Sequence, residues 1–457
     1  MESYDVIVIG SGSGGYVAAI RCAQLGLKTA CIEKDPTLGG TCLNVGCIPS
    51  KALLHSSELF AKLDHHYPEH GIAVENARFD FTKMMARKSQ VVKTFNGGIA
   101  ALFKKNKITH IPGLATFKTP NILTVGDKEV EGKSIIIATG SDPINLSFLP
   151  VDEKRVVTNT GALALEQVPK KLIVIGAGVI GVELGSVYKR LGAEVTFLEF
   201  LEKICPTMDA DVSKSFQQIL EKQGLTFHLK TKVTGAEIKP SEIVLTVEGG
   251  ETHTADVVLC SIGRRPYTQG LGLEVVGLTL SERGFIPINA RFQTALPHIY
   301  AIGDVVDGPM LAHKASEEGV AIAEIIAGLS PHIDYLAIPS VIYTDPEVAA
   351  VGLTEQEAKA MGLEVKSGKF PFAVNSRAQC TGENLGFVKI VTLKETGRII
   401  GVHIVGAHAS ELIAEGVIAV EKKMTALEVA NAPHAHPTLS EAVKEAALTV
   451  LGRALHR

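Results

Sequence analysis

The sequence contains two copies of one local pattern, and this duplication constrains the fold more than any other feature. Each copy has an apolar run typical of a buried strand, a G-x-G-x-x-G turn, a helical stretch, a second apolar run and an acid. The acid lies 23 positions after the first glycine in both copies, a match that chance would seldom produce. These glycines and acids are Gly10, Gly12, Gly15 and Glu33 in the first copy and Gly176, Gly178, Gly181 and Glu199 in the second.

The pattern suits a dinucleotide. Its glycines permit a tight turn, close approach of a pyrophosphate and close helix packing, while the helix N-terminus attracts phosphate and the acid bonds a ribose hydroxyl. A single glycine turn is weak evidence, because a glycine-rich loop without a ligand has the same letters. Strand, glycines, helix, strand and acid in this order favour the binding site. We therefore predict an α/β fold with two Rossmann-like dinucleotide-binding domains.

The second acid discriminates between nicotinamide cofactors. The carboxylate of Glu199 would accept hydrogen bonds from a free ribose 2′-hydroxyl but would repel a 2′-phosphate. Phe200 and Leu201, the next residues, supply no arginine to bind such a phosphate. A solvated charge at a strand end is the alternative for Glu199, but it leaves the matched spacing unexplained. The sequence favours NAD over NADP.

Length and charge exclude several classes of protein. A chain of 457 residues is long enough for about three domains. The net charge of -4 provides no basic surplus for nucleic acid, and no uncharged apolar run reaches the length of a membrane span. The first apolar run begins by Tyr4, which leaves no room for a leader peptide ahead of it. We expect a cytoplasmic protein, although a processed organellar form would have lost its leader.

Residues 39–51, GGTCLNVGCIPSK, place Cys42 and Cys47 shortly after the first acid. A disulfide requires Cα atoms about 4.4–6.8 Å apart, and Gly46 and Pro49 make a suitable bend plausible. Free cysteines also pack as small inert hydrophobes, so the spacing alone leaves both interpretations open. The total of seven cysteines is odd and forms no dense framework, which argues against structural disulfides.

Two histidines near the C-terminus are candidate bases. His434 and His436 precede Pro437, and Glu441 falls in the first turns of an expected helix, where it could fold back on His436. Histidine titrates closest to neutrality, and a carboxylate partner orients its ring and stabilises its charged form. From the residues alone His434 is nearly as good a candidate. A second histidine-rich run, residues 64–70, is interpreted as a solvated loop rather than a metal site.

The cysteine segment resembles the active-site segment of the flavin-dependent pyridine nucleotide disulfide oxidoreductases, most closely the members that oxidise dihydrolipoamide. Further matches are the ATG at residues 138–140, TALPHIYAIGD at 294–304, the loop at 310–313 and IYTDPEVAAVG at 342–352. The resemblance covers nearly the whole chain. It implies two cofactors, FAD and NAD, and a catalytic set of Cys42, Cys47, His436 and Glu441.

The resemblance also implies which residues bind each cofactor. Those expected at FAD are Gly10, Gly12, Gly15, Glu33, Gly40, Thr41, Lys51, Thr139, Gly140, Gly303, Asp304, Met310, Leu311, Ala312 and His313. Those expected at NAD are Gly176, Gly178, Ile180, Gly181, Glu183, Glu199 and Gly263. Lys51 matches a lysine beside the flavin and Glu183 its ion-pair partner, although a surface lysine and a polar helix residue are the separate alternatives. Arg264 and Arg265 receive no role.

As the resemblance implies, dihydrolipoamide gives a proton to His436 and its thiolate attacks Cys42, the sulfur farther from the flavin. A mixed disulfide forms and resolves, leaving Cys47 facing the flavin as a charge-transfer thiolate. Electrons pass through FAD to NAD, giving NADH. His436 and Glu441 reach the disulfide of the other subunit, so a homodimer is the catalytic unit.

The implied organisation has four segments. Residues 1–145 and 271–340 form the two parts of an FAD-binding domain, residues 146–270 an NAD-binding domain, and residues 341–457 an α+β dimerisation domain. The implied partners are the lipoyl domain and acyltransferase subunit of 2-oxoacid dehydrogenase complexes, or the lipoyl carrier of glycine cleavage. No nucleic acid, membrane or metal is expected.

Several alternatives remain. Glutathione-type reductases would need arginines for NADP, and mercuric reductases would need a cysteine pair near the C-terminus, whereas the last cysteine here is Cys380. A flavin-containing scaffold subunit would not require both cysteines and the HPTLSE segment. An oxygen-consuming flavoprotein would not require the cysteine pair at all.

Overall fold

The computed structural model describes residues 1–456, except for the side chain of His65. The helices of this part are α1 Ser13–Gln24, α2 Gly40–Val45, α3 Cys47–Glu69, α4 Phe81–Lys105, α5 Asn159–Ala162, α6 Val179–Arg190, α7 Ala210–Lys222, α8 Ala312–Ile326, α9 Glu355–Ala360, α10 Ser376–Thr381, α11 Ala409–Glu421, α12 Ala426–Asn431 and α13 Glu441–Val450. The strands are β1 Glu2–Ile9, β2 Thr29–Glu33, β3 Thr109–Pro112, β4 Ala115–Thr119, β5 Ile122–Val125, β6 Lys128–Ile137, β7 Ser141–Pro143, β8 Val156–Val157, β9 Lys171–Ile175, β10 Glu194–Leu198, β11 Thr226–His228, β12 Val233–Ile238, β13 Ile243–Val247, β14 Thr252–Ala255, β15 Val257–Cys260, β16 Arg264–Pro266, β17 Ile299–Ala301, β18 Ser340–Ile342, β19 Glu347–Gly352, β20 Val365–Pro371, β21 Phe387–Leu393 and β22 Ile399–Gly406.

The chain divides into two units, each built from several segments. The first unit comprises Met1–Ala52, Met85–Ile144 and Gly263–Ile333. Its main sheet has the order β3-β2-β1-β6-β5-β4, with β17 also paired to β6. Strand β1 runs parallel to both β2 and β6, so its apolar side chains are buried on both faces.

Helices α1 and α8 pack closely in the first unit. Gly14 and Gly319 make this approach possible, because a Cβ at Gly319 would lie 2.6 Å from the Gly14 carbonyl oxygen. Helix α1 thereby begins at the carboxyl edge of β1, where the glycine turn leads into it. This edge of the sheet is where the first predicted dinucleotide turn lies.

The second unit comprises Leu53–Met84, Asn145–Ile262 and Asp334–Arg457, of which Arg457 lies outside the described residues. It contains a parallel sheet of order β11-β10-β9-β15-β8 and a three-stranded sheet β12-β13-β14. Its third sheet, of order β18-β19-β22-β21-β20, is antiparallel, and α11 and α13 cover it around one apolar core. The predicted fold class, two glycine-turn sheets followed by an α+β portion, is confirmed.

One local prediction was wrong. Residues 64–70 are not a loop, because α3 continues through them to Glu69 and ends before Gly71, whose φ of +76° no other residue type adopts easily. Charged and histidine side chains do not break a helix; a left-handed glycine does. Strands β3 and β4 are separated at Gly113, which has φ of +135°.

Candidate active site

The two glycine turns have the same geometry, although each lies in its own unit. Gly10 and Gly176 have φ of +98° and +95°, which bends the chain sharply after β1 and after β9. A Cβ at Gly15 would collide with the Gly10 carbonyl oxygen, and one at Gly181 would collide with that of Gly176. These contacts allow the following helix to begin close against the strand.

The middle glycine of each turn faces open space. A Cβ at Gly12 or Gly178 would meet no atom within 4 Å. Both glycines are the N-cap residues of their helices, α1 and α6, and no acidic side chain lies in either first helical turn. Each turn therefore leaves room for a phosphate in front of unpaired backbone N–H groups, which is the fit that a dinucleotide requires.

The acids at the ends of β2 and β10 are both buried and held by backbone N–H groups. Glu33 accepts hydrogen bonds from the Ser11 N–H at 2.8 Å and from the Asp35 N–H at 2.9 Å. Glu199 accepts from the Ala177 N–H at 2.6 Å and the Leu201 N–H at 2.7 Å. A carboxylate has about four acceptor sites, so each acid is oriented and retains capacity for a ribose hydroxyl.

The cysteine pair lies where α2 ends and α3 begins. Cys42 is on α2, Gly46 separates the two helices, and Cys47 is the first residue of α3. The two sulfurs are within hydrogen-bonding reach of one another as free thiols, and Ser13 also hydrogen-bonds Cys42. The pair is therefore placed directly beside the first glycine turn.

The electrostatic environment of Cys42 is set by its neighbours. The hydrogen bond to Cys47 raises the pKa of the Cys42 thiol, and burial raises it further. Ser13 and the charge of Lys51 act in the opposite direction. Burial is the main effect that raises the pKa of Tyr16, and the negative charge that Cys42 would carry as a thiolate raises it further. In the reduced pair Cys42 therefore loses its proton less readily than an ordinary thiol.

Other residues predicted at FAD lie at the carboxyl ends of β6 and β17. Thr139 donates a hydrogen bond from its hydroxyl to the Tyr267 carbonyl at 2.6 Å, and the Gly140 carbonyl accepts one from the Tyr267 N–H at 2.9 Å. Gly303 and Asp304 follow β17 in a short 3-10 turn. Met310 and Leu311 precede α8, and Ala312 and His313 begin it.

Sequence reasoning missed a buried ion pair that holds this turn. Lys314 donates to the Gly303 carbonyl at 3.0 Å, and Glu318 accepts from the Gly303 N–H at 2.7 Å. Lys314 and Glu318 are 3.1 Å apart and essentially fully buried. Their i,i+4 spacing did not reveal this pair, because α8 also carries His313, Glu317 and Glu324 and such spacing is common on exposed helix faces.

Arg264, to which the sequence assigned no role, is linked to Asp304 through Ser141. Its Nε donates to the Ser141 hydroxyl at 2.7 Å, and that hydroxyl donates to the Asp304 carboxylate at 2.6 Å. Burial lowers the pKa of Arg264, an effect opposed by the charges of Asp304 and Asp142. Asp304 is thus oriented by contacts that the sequence motif did not reveal.

The remaining predicted positions are distributed over both units. Gly40 approaches Gly12 so closely that a Cβ would lie 2.6 Å from the Gly12 Cα, and Thr41 is exposed one residue further. Ile180 and the buried Glu183 are on α6, where Glu183 accepts from the Tyr343 N–H at 3.0 Å. Gly263 follows β15 with φ of +128°. The ion pair of Lys51 with Glu183 stays a prediction.

The C-terminal histidine and glutamate form a dyad in the second unit. His436 Nδ1 lies 2.9 Å from a Glu441 carboxylate oxygen, and the other oxygen accepts from the Thr438 N–H at 2.8 Å. Burial raises the pKa of Glu441, but these two hydrogen bonds outweigh that effect, so the pKa is lowered. The His436 side chain is 69% exposed. With Nδ1 facing Glu441, Nε2 is the ring nitrogen that stays available to solvent.

His434 differs from His436 in its hydrogen bonds and in its exposure. Its Nε2 is 2.7 Å from a Glu415 oxygen and its Nδ1 is 2.9 Å from the Ala432 carbonyl oxygen. Its side chain is only 7% exposed. Because both ring nitrogens have partners, the geometry favours His436 as the base where the sequence left the two nearly equal.

The described part of the chain also bears on metal binding and on helices that could span a membrane. Within residues 1–456, no group of three or more histidine, cysteine or carboxylate side chains could hold a metal ion. In the run at 64–70 the ring centroids of His66 and His70 are 4.6 Å apart with the ring planes tilted by 55°, while the His65 side chain lies outside the described residues. None of the described helices is both long and apolar enough to cross a bilayer.

Comparison with known proteins matches the chain to one family over most of its length. The family described as pyridine nucleotide-disulphide oxidoreductase matches residues 4–319, and that family's dimerisation domain matches residues 338–447. A mitochondrial dihydrolipoyl dehydrogenase of Pisum sativum is 52% identical, covering 100% of this chain and 93% of the relative. One of Bos taurus is 53% identical, over 97% and 90% respectively.

Solved structures show the same similarity. LpdA of Mycobacterium tuberculosis superposes with a TM-score of 0.90 at 27% identity, covering 98% of this chain and 99% of that one. The HOCl-induced flavoprotein disulfide reductase RclA of Escherichia coli superposes with a TM-score of 0.87 at 26% identity, covering 97% and 99%.

Proposed function

The chain belongs to the pyridine nucleotide-disulphide oxidoreductase family, and from that premise we propose that it oxidises protein-bound dihydrolipoamide to lipoamide and reduces NAD⁺ to NADH. The family predicted from the sequence is confirmed, as is the use of FAD and NAD, because relatives 52–54% identical over nearly the whole chain are dihydrolipoyl dehydrogenases. The proposal rests above all on one observation. The Cys42 and Cys47 sulfurs lie within hydrogen-bonding reach of one another, beside a glycine turn open to a phosphate.

Each cofactor is assigned to one unit's glycine turn. The turn of Gly12 with Glu33 and Asp304 would hold FAD, and that of Gly178 with Glu199 would hold NAD. The exposed Phe200 and Leu201 beside Glu199 provide no cation for a 2′-phosphate, which supports NAD rather than NADP. When bound, FAD supplies the redox centre that accepts an electron pair from the dithiol and passes it to NAD⁺.

The residues of the chain then perform the thiol chemistry. His436 takes a proton from the substrate dithiol while Glu441 stabilises the imidazolium. The substrate thiolate attacks the Cys42 sulfur of the disulfide, forming a mixed disulfide and releasing Cys47 as a thiolate. The second substrate thiol displaces Cys42 and its proton passes to the Cys42 sulfur, so that the substrate leaves as a cyclic disulfide and the chain holds the reduced cysteine pair.

A dimerisation domain matches the C-terminal portion, which supports a homodimer. We propose that each active site combines the Cys42–Cys47 pair of one subunit with the His436–Glu441 dyad of the other. The finer assignment of partners, a lipoyl domain and acyltransferase of a 2-oxoacid dehydrogenase complex or a glycine-cleavage lipoyl carrier, is part of the same proposal. A cytoplasmic location is also part of the proposal. Because relatives are named as mitochondrial, the mitochondrion is the alternative location, and cell fractionation distinguishes the two.

Anaerobic titration of the holoenzyme with reduced lipoamide tests the proposal. Two-electron reduction is expected to produce a long-wavelength thiolate-to-flavin absorbance band, and addition of NAD⁺, but not NADP⁺, is expected to remove it with formation of NADH. Cys47→Ser should abolish the band, because it removes the thiolate. Absence of NADH formation by the wild-type holoenzyme would favour a scaffold protein, and full activity of Cys42→Ser would favour an oxygen-consuming flavoprotein.

A further inference from the structure

The helix that carries the first redox cysteine is too short to hold its own position. Helix α2 has only six residues, Gly40–Val45, and ends at the bend of Gly46. A helix of this length has few internal hydrogen bonds and is unstable without outside contacts. Residues beyond α2 must therefore determine where Cys42 lies relative to Cys47.

One side chain between the two cysteines is fully engaged. The Asn44 amide donates to the Leu38 carbonyl at 3.1 Å and to the Gly40 carbonyl at 2.9 Å. Its oxygen accepts from the Thr37 hydroxyl at 3.0 Å. These bonds fasten α2 to the chain that enters it.

The outside contact comes from helix α4, in the same unit. The amide of Asn96 donates one hydrogen bond to the Leu38 carbonyl at 2.8 Å and a second to the Asn44 oxygen at 3.1 Å. Both of its N–H groups are thereby used on the cysteine segment. Asn96 takes no part in the thiol chemistry proposed for this chain.

The same network extends to the first glycine turn. Gly40, whose carbonyl accepts from Asn44, packs against the Gly12 backbone, which leaves no space for a Cβ between them. Asn96 is therefore tied, through Asn44, both to the segment of the redox pair and to the turn proposed for FAD. A change at Asn96 is transmitted to both.

We propose that Asn96 is a positioning residue that holds Cys42 ready to close the disulfide with Cys47. This inference rests on the proposed redox role of the pair. Closing the bond brings two thiol sulfurs from hydrogen-bonding separation to about 2.05 Å, and every turnover repeats this change. A fastened α2 makes closure favourable because little conformational freedom is lost.

The test measures the Cys42–Cys47 equilibrium in the holoenzyme against mixtures of reduced and oxidised dithiothreitol. In this exchange the protein dithiol gives two electrons and two protons, and oxidised dithiothreitol is reduced to its dithiol. The state of the pair is read by alkylation and mass spectrometry. Neither dihydrolipoamide nor NAD is needed, so failure of lipoamide turnover in the wild type would count against the proposed function without affecting this comparison.

Asn96→Ala removes both donors. A hydrogen bond contributes about 0.5–1.5 kcal/mol, so we expect the equilibrium constant for disulfide formation to fall about three- to tenfold, equivalent to a midpoint about 15–30 mV higher. Asn96→Asp retains the shape but lacks the amide donors, and the same direction is expected. If both variants stay within about twofold of the wild type, the inference is wrong.

A matched control is available at the end of the same helix. Asn106 is half-buried like Asn96, but its amide donates locally to the Leu102 carbonyl at 2.9 Å. Asn106→Ala should leave the equilibrium unchanged, and an equal shift in this variant would overturn the proposal.

Two further measurements separate positioning from general stability. Loss of positioning lowers the melting temperature of the oxidised holoenzyme more than that of the reduced one, whereas a merely structural role lowers both equally and contradicts the proposal. Asn44→Ala combined with Asn96→Ala should shift the equilibrium less than the sum of the two single shifts, because the residues act through one network. Strict additivity would contradict it.

Discussion

At the scale of single residues, the hydrogen bonds of two histidines separate their roles. His434 and His436 are two positions apart and each has a glutamate partner, Glu415 and Glu441. The His434 side chain is buried and both of its ring nitrogens have partners, whereas the His436 side chain is exposed and one ring nitrogen contacts Glu441. Burial and partner count, rather than residue type, are therefore the observations that support the proposed role of His436.

We expect His436→Gln to lower kcat for reduced lipoamide about 10²–10⁴-fold, since this is the usual contribution of a general acid or base. The melting temperature should change little, because the side chain is exposed. Steady-state kinetics and thermal denaturation measure the two effects.

His434→Gln is the matched variant. Its buried ring has two partners, so substitution should lower the free energy of unfolding by about 1–3 kcal/mol while most of kcat remains. Were His434→Gln to abolish turnover and His436→Gln to leave it intact, the two assignments would have to be exchanged.

At the scale of secondary-structure elements, a buried lysine joins β21 to α7 and α9. Lys389 is 2% exposed and lies 3.0 Å from Asp209 and Asp211 and 2.8 Å from Glu355. Burial lowers the pKa of Lys389, but these carboxylates outweigh that effect, so the pKa is raised. Hydrogen bonds from Lys359 and Lys389 lower the pKa of Glu355 to about 2.

This network predicts a loss of stability in acid. Glu355 has a lower pKa in the folded chain than its ordinary value of about 4.3, so its contribution is complete above that value and is lost as pH falls towards 2. The pKa of Asp211 is also lowered by Lys389, against an opposing effect of burial. Melting temperatures measured from pH 6 to pH 3 should therefore decrease most steeply below pH 5.

Lys389→Met should make the chain less stable at pH 7 by about 3–5 kcal/mol, because it leaves the buried Asp209 carboxylate without its cation, and should reduce the acid dependence. Lys394 is the control, since its pair with Glu364 is exposed at 65% and 78% and Lys394→Met should have almost no effect. An unchanged pH profile in Lys389→Met would show that the network is not the origin of the acid dependence.

At the scale of the whole molecule, the proposed homodimer places the two halves of each active site on different subunits. A subunit with Cys42→Ser retains the histidine dyad, and one with His436→Gln retains the cysteine pair. In a hybrid dimer of the two, one site has both intact halves and the other has neither, by the symmetry of the dimer.

We therefore expect purified hybrid dimers to recover about half of the wild-type kcat, although each parent homodimer is nearly inactive. Differently tagged subunits, co-expressed and purified by both tags, allow the measurement. If hybrids are as inactive as their parents, each site is built from a single subunit.

The sequence by itself determined those features in which neighbouring residues are sufficient. A glycine turn between a buried strand and a helix depends on backbone geometry and spacing, so Gly10, Gly176 and their acids could be predicted, as could the fold class. The redox role of the cysteine segment and the choice of His436 with Glu441 came instead from the family resemblance, because spacing alone left both open. The C-terminal part of helix α3 within residues 64–70 was not predicted, because charged residues are compatible with both loop and helix until a glycine ends the helix.

The tertiary structure decided which side chains hold these groups in place. Lys314 and Glu318 enclose Gly303, Arg264 reaches Asp304 through Ser141, and Asn96 fastens the cysteine segment from a position 52 residues from Asn44. Lysine, arginine and asparagine are common surface residues, and nothing in their local sequence distinguishes these from solvated ones. Their roles arise only when folding removes them from water and brings distant partners within hydrogen-bonding distance, because burial makes those partners necessary.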